Sequence, residues 1–202
     1  MTSHTYSDQA TQLARRYGVL TAQEARRHGI HTQVLTRMVR EGTLERVSRG
    51  CYRLPEAPVT EHHGLALASA AVPDGVVCLV SALSFHGIGT QIPHELWMAV
   101  ERRARKPDLA WPPLRVFRFG GKSFTEGVET HELEGVPVRV YEVAKTLADI
   151  FKYRNKVGID VALEALKEAW VHRRFQMDRL THFARICRVE KVMAPYIDAV
   201  VA

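Results

Sequence analysis

Cysteine is scarce in this 202-residue chain, and Cys51, Cys78 and Cys187 are odd in number, far apart and without CxxC spacing. That pattern argues against a disulfide framework or a cysteine-based zinc site and predicts reduced, partly buried thiols. Long apolar runs are missing as well, with no stretch reaching the roughly 20 residues a bilayer-crossing helix needs. Met1–Tyr6 lack the basic region and apolar run of a secretory leader, so a cytoplasmic protein with no membrane partner is expected. No glycine-rich phosphate loop, GxSxG elbow, internal repeat, heptad run or low-complexity segment occurs, which disfavours nucleotide-dependent enzymes, elbow-type hydrolases and repeat architectures. Histidine is plentiful, but His62-His63 is the only close pair, and neighbours on a helix point in different directions. Neither a metal nor a cofactor is expected.

What is present suffices for a core: 46% of the residues are apolar. Charge is uneven. Residues 1–57 hold nine Lys/Arg against five Asp/Glu, or +4, and residues 58–202 hold nineteen against seventeen, or +2, giving the net +6. A basic balance of this size supports a nucleic-acid partner without establishing one.

The stretch LTAQEARRHGIHTQVLTRMVREGTLERVSRGCYRL, Leu20 to Leu54, has the pattern of two short helices and a hairpin, a winged helix-turn-helix. Thr21 and Glu24 have capping-box spacing, Leu20 and Ala25 can form a hydrophobic staple, and Gly29 is a natural helix stop. The next helix opens at Thr32 and closes before Gly42. Its Val34, Leu35, Met38 and Val39 fall within an arc of about 140°, which must be buried. Gln33, Thr36, Arg37 and Arg40 occupy the opposite arc, where they can reach base edges or phosphates in a major groove. Strands at Leu44–Ser48 and Cys51–Leu54 would flank an Arg49-Gly50 tip, with Arg46, Arg49 and Arg53 available to phosphates. A structural or protein-binding winged helix would share the same pattern.

A support helix capped near Ser7 and carrying Ala10, Leu13, Ala14 and Tyr17 precedes this stretch, and Pro55 to Pro58 follows as a linker. The expected division is a winged-helix domain over 1–57 and a mixed domain over 58–202, an α/β (α+β) chain. In the second part the pattern predicts a helix over Gly64–Val72, a strand over Val76–Val80, and a short helix from Ser81 to Gly87. Strands follow at Leu96–Val100, Leu114–Phe119, Val128–Leu133 and Val136–Tyr141, the last two as a hairpin turning at Glu134-Gly135. Helices through Val143–Phe151 and Ala162–Trp170, then two shorter ones, end the chain.

Chemistry is sparse. Ser81, Ser84 and His86 lie close in sequence, but no third group is evident to orient the histidine, and a capped helix turn explains them better. Asp108, Glu126, Glu129, Glu132 and Glu134 could serve a metal-dependent nuclease, though their spacing fits no ligand template. Arg102 to Lys106 can be a nucleic-acid contact, a partner surface or a solvated loop, with the loop preferred. Lys152, Arg154 and Lys156 admit the same readings, and Tyr153 and Asn155 add stacking and hydrogen-bonding capacity.

Three stretches carry a family likeness: GVLTAQEARRHGIHTQVLTRMVREGTLERVSRGCYRL, SALSFHG and VYEVAKTLADIFKYRNKVGIDVALEAL. With them the chain resembles the AbiEi antitoxins, the antitoxin half of bacterial AbiE-type (type IV) toxin–antitoxin systems. The resemblance implies an N-terminal winged helix that binds inverted repeats in its own promoter and represses it. It further implies a C-terminal antitoxin domain that counters a nucleotidyltransferase-like toxin, directly or indirectly, without catalysis of its own. By the same resemblance Gln33, Thr36, Arg37, Arg40 and Arg49 match the DNA-reading surface, and Lys145, Asp149, Lys152, Tyr153, Arg154 and Lys156 fall in the C-terminal motif. A stand-alone winged-helix regulator with no toxin partner would have the same architecture.

Overall fold

The computed structural model describes residues 3–201; Met1, Thr2 and Ala202 lie outside the described residues, so the leader reading rests on sequence there. The fold is α+β, with a winged helix at the N-terminal end. The chain divides into two compact units: residues 1–74 with 106–114 and 130–138, and residues 75–105 with 115–129 and 139–202.

In the first unit, α1 (Ser3–Tyr17) starts earlier than expected, so Ser7 lies inside the helix instead of capping it. A two-residue strand β1 (Leu20–Thr21) precedes α2 (Ala22–Arg27). Thr21 Oγ1 accepts from the Glu24 N–H at 3.0 Å. The Glu24 carboxylate meets Arg27 at 3.1 Å and His28 at 3.5 Å. Gly29, at φ 74°, ends α2 in a left-handed conformation that an L side chain rarely adopts. Helix α3 (Thr32–Arg40) is capped by His31, whose Nδ1 accepts from the Gln33 N–H at 3.3 Å. The wing is β2 (Glu45–Ser48) and β3 (Cys51–Arg53), and β1 adds to β3 in the order β1-β3-β2. Sequence reading missed β1, because two residues leave no periodicity. Leu13, Leu20, Ile30, Leu35, Met38, Leu44 and Tyr52 share one buried core. Helix α4 (His63–Ala71) follows an irregular segment.

In the second unit, β4 is only Val76–Val77. The strand expected through Val80 is cut short because α5 (Leu79–Phe85) begins at Leu79, with Cys78 at its N-cap position. Strands β5 (Leu96–Glu101) and β6 (Leu114–Phe119) follow, then a four-residue helix α6 (Lys122–Thr125) absent from the sequence reading. Strands β7 (Val128–Leu133) and β8 (Val136–Tyr141), whose residues 130–138 are grouped with the first unit, complete a five-stranded sheet of order β6-β5-β4-β8-β7. Strand β4 pairs antiparallel with β5 and parallel with β8, with Val77 opposite Val140.

The helices α7 (Val143–Lys152), α8 (Arg154–Val157), α9 (Ile159–Val171), α10 (Met177–Cys187) and α11 (Glu190–Val201) follow. Leu83, Trp97, Phe119, Leu147, Phe151, Leu166 and Phe183 belong to one core. All three cysteines are free and buried, Cys78 completely and Cys51 and Cys187 to within 2% exposure, which is deeper than the partial burial expected. No helix among the described residues is long and apolar enough to cross a membrane.

Candidate nucleic-acid interface

The amphipathic pattern of α3 sorts its side chains as the sequence predicts. Leu35 and Met38 are fully buried in the first core, and Val34 and Val39 pack at its edge. Gln33, Thr36 and Arg40 are exposed, but Arg37 is only partly so. The Arg37 Nη2 donates to Ser7 Oγ on α1 at 2.9 Å, and its Nε lies 3.6 Å from Glu41 Oε1. Those contacts tie α3 to the support helix and hold the guanidinium at the edge of the face. Thr36 Oγ1 donates back to the Thr32 carbonyl at 3.1 Å, leaving its hydroxyl oxygen and methyl group for outside contacts. Gln33 and Arg40 are the side chains best placed to extend from this helix.

The wing holds Arg46 and Arg49 in solvent and withdraws Arg53. Arg53 sits opposite Glu45 in the ladder and donates to its carboxylate at 3.1 Å, with only 12% of its side chain exposed. It staples the two strands and is not an outward contact. Gly50, at φ 75°, makes the turn that carries Arg49 to the tip. Arg49 lies 3.6 Å from Asp108, and both side chains are more than three-quarters exposed. A pair so exposed contributes little to stability and yields easily to a phosphate.

The C-terminal motif residues do not form one surface. Lys145 and Asp149 face the core at 0% and 1% exposure, paired with each other. The ammonium also lies 4.2 Å from the centre of the Tyr141 ring, and Cys187 Sγ donates to the second Asp149 oxygen at 3.1 Å. Burial raises the Asp149 carboxyl above its ordinary value, with Lys145 opposing it. Lys152, Asn155 and Lys156 are exposed. Tyr153 is half-buried, its ring stacked on Phe119 at 5.7 Å and edge-on to Phe117 at 5.3 Å, so its stacking capacity is spent inside the unit. Arg154 donates to the Phe151 carbonyl at 3.0 Å.

The other chemical candidates disperse. Ser81 Oγ accepts from the Trp97 N–H at 2.8 Å, and His86 Nε2 donates to the Tyr141 carbonyl at 2.8 Å, so both are absorbed in backbone contacts. Glu134 accepts from the Thr60 N–H at 2.6 Å and from His63 Nδ1 at 2.6 Å, and Glu126 from His182 at 2.7 Å. Among the described residues no group of three or more His, Cys, Asp or Glu is arranged to hold a metal ion.

Comparison with known proteins agrees with the reading of the N-terminal unit. A family model described as "Transcriptional regulator, AbiEi antitoxin" matches residues 8–55, the support helix through the wing. Among solved structures, the Rv2827c protein from Mycobacterium tuberculosis superposes with a TM-score of 0.56 at 14% identity, over 89% of this chain and 71% of that one. At that identity the likeness is one of fold. No curated protein matches.

Proposed function

We propose that this chain is a DNA-binding antitoxin and transcriptional autorepressor of a toxin–antitoxin operon. The observation that carries the reading is a coincidence of two boundaries. The match to an antitoxin regulator model over residues 8–55 covers the winged helix in which Gln33, Thr36 and Arg40 stand out from α3 and Arg46 and Arg49 from the wing.

In this reading α3 enters the major groove. Arg40 and Gln33 have the donors that purine edges accept, and Thr36 offers a methyl to thymine. Arg37 orients α3 through Ser7 and adds a contact at the groove edge. Arg46 and Arg49 neutralise phosphates, supplying salt-dependent affinity without reading sequence. The operator is an inverted repeat in the protein's own promoter. Residues 1–57 serve as the reader and residues 58–202 act against a nucleotidyltransferase-like toxin, directly or indirectly. Lys152 and Lys156, exposed on the second unit, are the motif residues available to a partner.

Purified protein should shift a fragment carrying its own promoter at concentrations that leave a scrambled fragment free. A promoter reporter should be repressed by co-expressed protein. Equal affinity for both fragments at every salt concentration would contradict the repressor reading. A stand-alone regulator would give the same shift, yet would fail to rescue cells from the product of a neighbouring nucleotidyltransferase-like gene.

A further inference from the structure

The second unit carries a cleft of about 710 Å³ lined by Arg102, Lys122, Lys152 and Arg188, with Gly120 and Ser123 between them. All four cationic residues are exposed, and no acidic residue lines the cleft. They come from four separate places in the chain: the turn after β5, the Gly-Gly-Lys-Ser segment after β6, the end of α7, and the cap of α10. Lys122 has a loose surface pair with Glu126 at 3.7 Å. Among the described residues, Arg102, Lys152 and Arg188 make no ion pair.

Local geometry fixes this convergence. The Arg118 guanidinium donates to the Arg102 and Ala104 carbonyls at 3.0 and 2.7 Å, pinning the turn that carries Arg102. Arg102 lies against Gly120, where an added Cβ would come within 3.6 Å of its Nε. Arg188 is held in the left-handed region at φ 59°, a conformation uncommon for a non-glycine residue.

Four cations brought to one concavity repel one another, offset only in part by the attraction of Lys152 to the buried Asp149 and by the loose Lys122–Glu126 pair. A cleft lined by one sign of charge focuses its field and raises the local concentration of counter-ions. Its volume falls in the range of about 300–1,000 Å³ usual for small-molecule sites. The cations converge on a hollow and do not spread as the stripe that tracks a nucleic-acid backbone.

We propose that this cleft binds a small polyphosphate anion, with the phosphates alone carrying the recognition. Arg102 and Arg188 supply forked donors, Lys122 and Lys152 point charges, and Ser123 a hydroxyl. Cys187 also lines the cleft. Burial pushes its thiol up to about 12, which disfavours the thiolate beside the cleft. The inference is independent of the DNA-binding reading, which concerns the other unit.

Calorimetric titration of the full chain at low salt, with sodium triphosphate and separately with ATP, tests it. The expected result is saturable binding of one molecule of either probe per chain, with affinities within about threefold, since the phosphates carry the recognition. Lys122→Ala/Arg188→Ala should lose about tenfold or more, and Lys152→Gln, a milder change, about threefold. Lys167→Ala/Lys191→Ala alters net charge equally on exposed positions outside the cleft and should bind as wild type does. Triphosphate that fails to bind the wild type would overturn the proposal, as would a control pair that weakens binding as much as the cleft pair. Loss of DNA affinity in the cleft pair, with no triphosphate binding by the wild type, would overturn it in favour of a nucleic-acid contact.

Discussion

Helix α3, nine residues long, keeps Arg40 in solvent, whereas α7, ten residues long, turns Lys145 into the core beside Asp149. Both have an amphipathic sequence pattern and both carry Lys or Arg at conspicuous positions. In α3 the cations lie opposite Leu35 and Met38, so charge and apolar side chains separate onto two faces. In α7 every residue from Val143 to Phe151 is buried, and a charge there persists only with a partner. The same residue types therefore serve different ends. On α3 Arg40 stands exposed where an outside anion can reach it, and on α7 Lys145 joins the interior of the second unit.

The sharpest way to break this contrast is to remove one half of the buried pair. Lys145→Met leaves Asp149 uncompensated and should cost about 3–5 kcal/mol in urea unfolding, while adding Asp149→Leu should recover most of the loss. A Lys145→Met protein as stable as wild type would place the pair among exposed charges. On the reader, Arg40→Ala should cost about 1–3 kcal/mol at the operator and leave the unfolding midpoint unchanged. Arg37→Ala tests the intermediate case: its bonds to Ser7 and Glu41 predict a stability loss of about 0.5–1.5 kcal/mol beside any loss of affinity. Thr21→Ala should cost about 1 kcal/mol through the lost cap of α2.

Carboxylates extend the comparison to pH. Burial raises Asp149, whereas for Glu134 burial also pushes upward but hydrogen bonds from His63 and Thr60 outweigh it and hold the group below its ordinary value. A depressed carboxylate stabilises the fold above its unfolded pKa and loses that contribution as pH falls through the folded value. Glu134→Gln should therefore be less stable than wild type near neutral pH, and the gap should close as pH drops below about 4.5. A gap that widens in acid would reverse the sign assigned to Glu134.

Much of the first unit was legible because its signals are local. Thr21 caps, Gly29 and Gly50 turn, and Leu35 with Met38 marks the buried face, all within a few residues of one another. Distant partners were not legible. Arg37 and Arg40 look alike in sequence until Ser7, thirty positions away, engages one of them. Lys145 belongs to a helix whose wide apolar face hints at burial, yet the Tyr141 ring beneath its ammonium and the Cys187 thiol that donates to its mate Asp149 come from other elements. Residues 106–114 and 130–138 group with the N-terminal unit, an arrangement that no local pattern encodes. The four cations of the basic cleft are likewise scattered, after β5, in α6, at the end of α7 and after α10, and only folding brings them together.

In the proposed function, α3 and the wing bind operator DNA through different kinds of contact. Affinity for the promoter fragment and for a scrambled fragment, measured across a salt series for wild type, Arg40→Ala and Arg49→Ala, tests it most directly. Arg40→Ala should lose affinity mainly on the promoter. Arg49→Ala should weaken both fragments about equally and reduce the salt slope by about 1. If both variants bind both fragments as wild type does, or if Arg40→Ala weakens the two fragments alike, α3 is not the reading helix.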